Sequence, residues 1–293
     1  MKNRLFFILF IFTLILAACQ PATPLPPEPD DQTKDGLNAQ PGEEVFGGDD
    51  STGQDDGTAN GDFPRPEVVW SRDPVTVILS GTYCCGFTTP LVPLNYIPDF
   101  QIWGDGRYIW VTTNAENPTR QVLQGQLTED QLTSILEKAI NAGFFGWEDR
   151  YEDLMISDLA DQCLTINLES TIKSVCEYAN GAPEAFHALY DSLAAGSGIT
   201  GTDYIPTEGF LTSFPYPEEA AQPEQESDIL WPEDTFFPLS EAVNGMWVEG
   251  DAVVQAWNAI NANPWNATVR QGDTFYNITL QIPGLSMNEP PGK

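Results

Sequence analysis

Histidine is almost missing from this chain: His187 is the only one in 293 residues. A Ser-His-Asp or Cys-His catalytic site would have to use it. No Gly-x-Ser-x-Gly elbow and no His-Glu-x-x-His motif accompanies it. A Walker loop and a Rossmann fingerprint are also missing, which leaves nucleotide chemistry without its phosphate cradle. The cysteines include no CxxC pair, so zinc lacks a ligand set with the right spacing. Basic residues are scarce, 12 Lys+Arg against 43 Asp+Glu, for a formal charge of −31. No stretch gathers Lys and Arg into a patch. Binding phosphates requires such clusters, so nucleic acid is excluded as a partner. The acidity itself reads as solubility and self-repulsion, or as affinity for a cationic partner or calcium. Long apolar runs are lacking too. The one over residues 5–16, broken only by Thr13, is shorter than the roughly 20 residues a membrane span requires.

That run does have a place. Lys2 and Arg4 precede it, and Leu16-Ala17-Ala18-Cys19 follows it. A charged start, a short apolar core and small residues at a cut site describe an export signal. The tetrad Leu16-Ala17-Ala18-Cys19 resembles the lipobox of bacterial lipoproteins. The resemblance covers the leader alone. It implies a signal peptide over 1–18, cleavage by signal peptidase II, and a diacylglyceryl group on the Cys19 thiol. Two acyl chains are needed for stable anchoring, because one alone is marginal. The expected location is the cell membrane, facing outside the cytoplasm, with the membrane itself a partner through the lipid at Cys19. Cleavage removes Lys2 and Arg4, so 10 basic residues remain against 43 acidic ones and the formal charge becomes −33.

Residues 19–66 offer little to bury. Pro21, Pro24, Pro26, Pro27 and Pro29 give way to Gly47-Gly48-Asp49-Asp50 and Asp55-Asp56-Gly57. Such a composition cannot offset the entropy of ordering, which predicts a disordered, lipid-anchored linker. As a coil it would span roughly 35–40 Å. Its Asp-rich stretch lacks the alternating acids and distal Glu of an EF-hand loop.

Past this linker the pattern predicts an α+β fold, antiparallel β-hairpins packed with two to three helices. The first hairpin turns at Gly104-Asp105-Gly106. Its register sets Ile102 against Tyr108 and Phe100 against Trp110, on one face of a half-buried pair. The second turns at Glu169-Ser170, with Leu168 opposite Thr171, and buries Leu164, Ile166, Leu168 and Val175. The third turns at Gly272-Asp273, with Val269 facing Tyr276 and Ala267 facing Ile278. One helix begins at Thr128, where Gln131 completes a capping box and Leu127 and Leu132 sit at staple positions. Its stripe is Leu132, Ile135, Leu136, Ala139 and Ile140, and Gly143 ends it. A second starts at about Pro183, with Phe186, Leu189, Tyr190 and Leu193 inward and His187 off the stripe. A third runs from about Asp251 to Ile260, with Val253, Ala256, Trp257 and Ile260 inward. A Pro-rich, acidic stretch between Thr202 and Ser240 suggests a boundary. The expected organisation is an α+β domain over 67–198 and a small αββ domain or appendage over 199–293.

Four cysteines remain besides Cys19, an even count that suggests disulfides in an exported chain. The second hairpin's register places Cys163 directly opposite Cys176, at about the 4.5–5.5 Å that opposed residues share. Closing that loop would contribute about 3 kcal/mol. Cys84 and Cys85 are then left with each other, about 3.8 Å apart across a trans peptide, a strained span for a disulfide. The alternative bridges each of them to the hairpin.

Carboxylates are plentiful. Asp149, Glu152, Asp153, Asp158 and Asp161 cluster around Trp147 and Tyr151. An acid beside an aromatic ring suits sugar hydrolysis by two carboxylates, and the same oxygens suit calcium. The alternative is a solvated loop between helix and strand. Trp231-Pro232 and Phe236-Phe237 are either interface aromatics or core. The function expected from these residues is a non-enzymatic surface lipoprotein that binds an envelope protein or glycan. The alternatives are a carboxylate-based hydrolase of envelope polysaccharide and an acidic inhibitor of a cationic enzyme such as a lysozyme.

Overall fold

The computed structural model describes residues 65–113, 119–153, 155–216, 229–232 and 236–293. The leader, Cys19 and all but the last two residues of the expected linker lie outside them. Among the described residues four α-helices and two sheets make an α+β fold, and the described residues from 65 on belong to one compact unit.

The larger sheet has eight strands: β1 (Val77–Cys84), β2 (Phe100–Trp103), β3 (Arg107–Thr113), β4 (Arg120–Gln126), β5 (Arg150–Glu152), β6 (Asp161–Leu168), β7 (Thr171–Tyr178) and β8 (Thr202–Asp203). Their order is β5-β7-β6-β1-β2-β3-β4-β8, and only the β5–β7 pair is parallel. The smaller sheet holds β9 (Glu208–Pro215), β10 (Met246–Glu249), β11 (Thr268–Gln271) and β12 (Thr274–Gln281), ordered β10-β9-β12-β11 and wholly antiparallel. The helices are α1 (Leu91–Leu94), α2 (Glu129–Asn141), α3 (Glu184–Ala194) and α4 (Asp251–Ala262).

Local chemistry sets these bounds. Gly106 supplies a positive φ of 82° in the β2–β3 turn, and the register is Phe100↔Trp110 and Ile102↔Tyr108. The β6–β7 hairpin pairs Leu168 with Thr171 and Cys163 with Cys176. Val269 pairs with Tyr276 across Gly272-Asp273. The capping box forms as its sequence predicts: the Gln131 N–H donates to Thr128 Oγ1 at 3.2 Å, and the Thr128 N–H donates to Gln131 Oε1 at 2.8 Å. Gly143, at φ 91°, ends α2's turn. All four stripe residues of α3 are buried, as are Val253, Ala256, Trp257 and Ile260 of α4.

One expectation is corrected by the burial of β2 and β3. The sequence predicts a half-buried pair, yet Gln101, Trp103 and Ile109, on the face away from Phe100 and Tyr108, are only 5–6% exposed. On one face, Phe100, Ile102, Tyr108 and Trp110 share a core with the inner stripes of α2 and α3. On the other, Trp103, Ile109 and Val122 share a core with α4, β9, β11 and β12. Residues 199–293 supply both β8, which extends the larger sheet beside β4, and this second covering layer. Trp231 belongs to the same core. It is 2% exposed, its indole N–H donates to the Phe237 carbonyl at 3.0 Å, and its ring lies 5.1 Å from Phe236.

The inner face is packed closely enough that glycine is required beneath Phe100. A Cβ on Gly81, paired across the β1–β2 ladder with Phe100, would lie 2.1 Å from that ring. Overpacking of this kind costs about 1–3 kcal/mol. Gly81→Ala is therefore expected to lower unfolding stability by that amount in urea titration, with partial recovery when Phe100→Leu is added. An unchanged midpoint for Gly81→Ala would show that the ring has room to move.

Candidate functional site

The strands of the larger sheet end together at one side. There β1 finishes in Tyr83 and Cys84, β2 begins after Asp99, β3 finishes in Thr113, and β4 begins at Arg120. Ala194, at the end of α3, approaches from one covering layer, and Pro264 and Trp265, just past α4, approach from the other. Between them lies a cleft of about 550 Å³. Its wall is mainly apolar, through Val92, Ile97, Val111, Ala160 and Pro264, with the Cys84–Cys85 pair set into it. Trp265 stands at the cleft 58% exposed. A neighbouring depression of about 260 Å³ shares Tyr83, Asp99 and Ala160 with the cleft and adds Gln162 and Glu177.

Two opposite charges sit in this apolar setting. The Tyr190 hydroxyl donates to Asp99 Oδ2 at 2.6 Å, and the Tyr96 hydroxyl donates to Oδ1 at 3.4 Å. Tyr96 in turn accepts the Tyr83 N–H at 2.6 Å. Burial raises the Asp99 carboxyl above its usual value, while the two hydroxyl donors and then Arg120 pull it back. The Tyr96 and Tyr190 hydroxyls are driven well above the ordinary phenol range, by burial first and the Asp99 charge second. Arg120 donates from Nε to Asn261 Oδ1 at 2.6 Å and from Nη1 to the Asn95 carbonyl at 3.2 Å. Its Nη2 is buried and has no hydrogen-bond partner among the described residues. Burial lowers Arg120 to about 10, which leaves it a cation at neutral pH. No ion pair joins Arg120 to Asp99.

The wall is fixed by side chains that also join the two layers. Asn95 closes α1, and its Nδ2 donates to the Ile278 carbonyl at 3.0 Å while its Oδ1 accepts the Leu280 N–H at 3.0 Å, both on β12. Asn261, the acceptor for Arg120, is a buried residue of α4.

The five acids expected from the sequence lie on and around β5 and on the connection to the start of β6, and none lines the cleft or its neighbour. Asp149 pairs with Lys173 at 2.6 Å. Glu152 and Asp161 both pair with Arg150, at 2.8 and 3.0 Å. Asp153 accepts the Met155 N–H at 3.0 Å, and Asp158 accepts from the Ser157 hydroxyl at 3.4 Å. Among the described residues no three His, Cys, Asp or Glu side chains gather as a metal site. His187 is 43% exposed at its side chain, with Nε2 3.5 Å from Glu177 Oε2. Cys163 and Cys176 are disulfide-bonded across β6 and β7. Asp99 with Tyr96, Arg120 and Trp265 escape a linear reading because they come from three separate segments. The one sequence signal was Arg120 itself, a rare cation opening a strand.

Because Asp99 binds its proton more tightly in the folded chain than in the unfolded one, its contribution to stability declines as pH rises. The decline runs from the ordinary carboxylate value of 3.8 up through the raised one. Relative to Asp99→Asn, the native protein is expected to lose urea stability across that window and to hold a constant difference above it. A difference independent of pH would show that the carboxyl titrates normally. In comparison with known proteins, no family model matches this chain and no curated protein matches it.

Proposed function

We propose that this chain is a lipid-anchored binding module outside the cytoplasm, not an enzyme, and that it takes envelope material into the cleft beside Asp99 and Arg120. The cleft carries this reading. A concave, mainly apolar wall with a few converging polar groups is the usual form of a ligand site. Its volume lies within the roughly 300–1,000 Å³ of such sites, and Trp265 offers an exposed ring for stacking. The carboxylate-hydrolase alternative requires two free acids flanking one bond. Among the described residues Asp99 is the only carboxylate lining the main cleft, and in the adjoining depression Glu177 Oε1 already accepts the Ala182 N–H at 2.8 Å. Among the described residues no helix is long and apolar enough to cross a membrane, so the anchor in this reading is the lipid on Cys19.

Two measurements test the two halves of the proposal. Cys19→Ser is expected to move the protein from the membrane fraction to the soluble fraction and to abolish labelling by palmitate. Persistent membrane retention would remove the anchor from the account. Ala160→Trp places a large ring at the junction of the cleft and its neighbour. In native mass spectrometry of the full-length protein after exposure to envelope extract, the native chain is expected to carry a bound species that this variant lacks. Equal binding by both, with unchanged melting temperatures, would place the ligand site elsewhere.

A further inference from the structure

The two half-buried charges define the ligand more narrowly than the cleft's shape does. Asp99 and Arg120 line the same cavity with opposite sign and attract each other across it, yet no direct ion pair joins them. Each is held only by neutral groups: Asp99 by two tyrosine hydroxyls, Arg120 by an asparagine side chain and a backbone carbonyl. A partly desolvated charge that lacks a direct ion pair is incompletely compensated, and the unpartnered Nη2 of Arg120 adds the desolvation of a donor. A ligand carrying one charge would satisfy one of these groups and leave the other unmatched. A neutral sugar could hydrogen-bond to both but would supply a counter-charge to neither. A ligand carrying both charges matches each with its opposite. The chain's own field points the same way. At a formal charge of −31 it repels free anions, whereas a molecule with no net charge arrives without that penalty. The remaining wall, Val92, Ile97, Val111, Ala160, Pro264 and Trp265, suits an apolar body between the charged ends.

Resting on the reading of the cleft as a ligand site, we infer that it binds a zwitterion: a free apolar α-amino acid or short apolar peptide, its ammonium on Asp99 and its carboxylate on Arg120. Trp265 and the aliphatic wall cover the side chain. Tyr190 and Tyr96 keep the Asp99 carboxylate oriented, and Asn261 and Asn95 do the same for the guanidinium. Asp99 and Arg120 then discriminate by charge, and the wall discriminates by size.

Calorimetric titration of the full-length protein tests this with four probes: L-phenylalanine, the dipeptide leucyl-phenylalanine, N-acetyl-L-phenylalanine and L-phenylalanine amide. At least one of the two zwitterions is expected to bind. The probe without an ammonium and the probe without a carboxylate should each bind about 10–100-fold more weakly, the range for losing a charge-assisted hydrogen bond. Asp99→Asn should weaken the zwitterion by a similar factor while leaving N-acetyl-L-phenylalanine unchanged. Trp265→Ala, at a position 58% exposed, should weaken all four probes together with the melting temperature unchanged. Equal affinity for zwitterion and blocked probes overturns the charge assignment. So does the absence of zwitterion binding up to millimolar concentration. If the envelope species still disappears in Ala160→Trp, the cleft remains the ligand site and only the ligand class falls; if that species is unaffected as well, both fall.

Discussion

The fold depends on one constraint: β2 and β3 have no face that water can cover. Phe100, Ile102, Tyr108 and Trp110 point one way, and Trp103 and Ile109 point the other. An antiparallel pair can leave one side solvated when that side is polar, but the only polar residue at the centre of β2, Gln101, is itself buried and donates to the Gly284 carbonyl at 2.8 Å. Two layers must therefore close on the same strands. The helical layer comes from the residues between the hairpins, and the second layer comes from the last third of the chain. The cleft lies where the strands end and the two layers no longer meet.

Much of this was legible. Hairpin registers follow from the period of two together with the turn residues, and both signals are local. The capping box at Thr128 and the stripes of α2, α3 and α4 are local as well. The second layer was not legible, because alternation along Phe100-Gln101-Ile102-Trp103 shows only that large residues occupy both sides, and a Trp at the end of a strand can be exposed or buried. The cleft was less legible still. Tyr190 reads as a core stripe residue, and it is one, but its hydroxyl reaches Asp99, 91 positions away. The acids between 149 and 161 drew attention because they are adjacent in sequence. The structure spends them on Arg150, Lys173 and loop amides.

The polar groups of the cleft are also the joints between the layers. Asn95 reaches β12 with both ends of its amide, and Arg120 bridges the α1 turn and α4. Whatever shifts Arg120 must therefore shift the docking of the second sheet. Rigid support of this kind is what holds a site's geometry to the tolerance binding requires. The cross-strand disulfide has a narrower reach, since Cys163 and Cys176 lie on one hairpin of one sheet. The union of the two layers is noncovalent and rests on the shared core and these amides.

The sheet margins carry a consequence for molecules that crowd one another. The larger sheet is bounded by β5, three residues long, and β8, two residues long, and each margin of the smaller sheet has four. An unpaired strand is a template for another chain, and short, charged margins are poor templates. On β5, Arg150 pairs with Glu152 on the margin itself and reaches past β7 to Asp161 at the start of β6. The acids that resembled a catalytic cluster thus lie where an ionic fringe discourages strand-to-strand polymerisation. Molecules at high concentration can then sit side by side without zipping together.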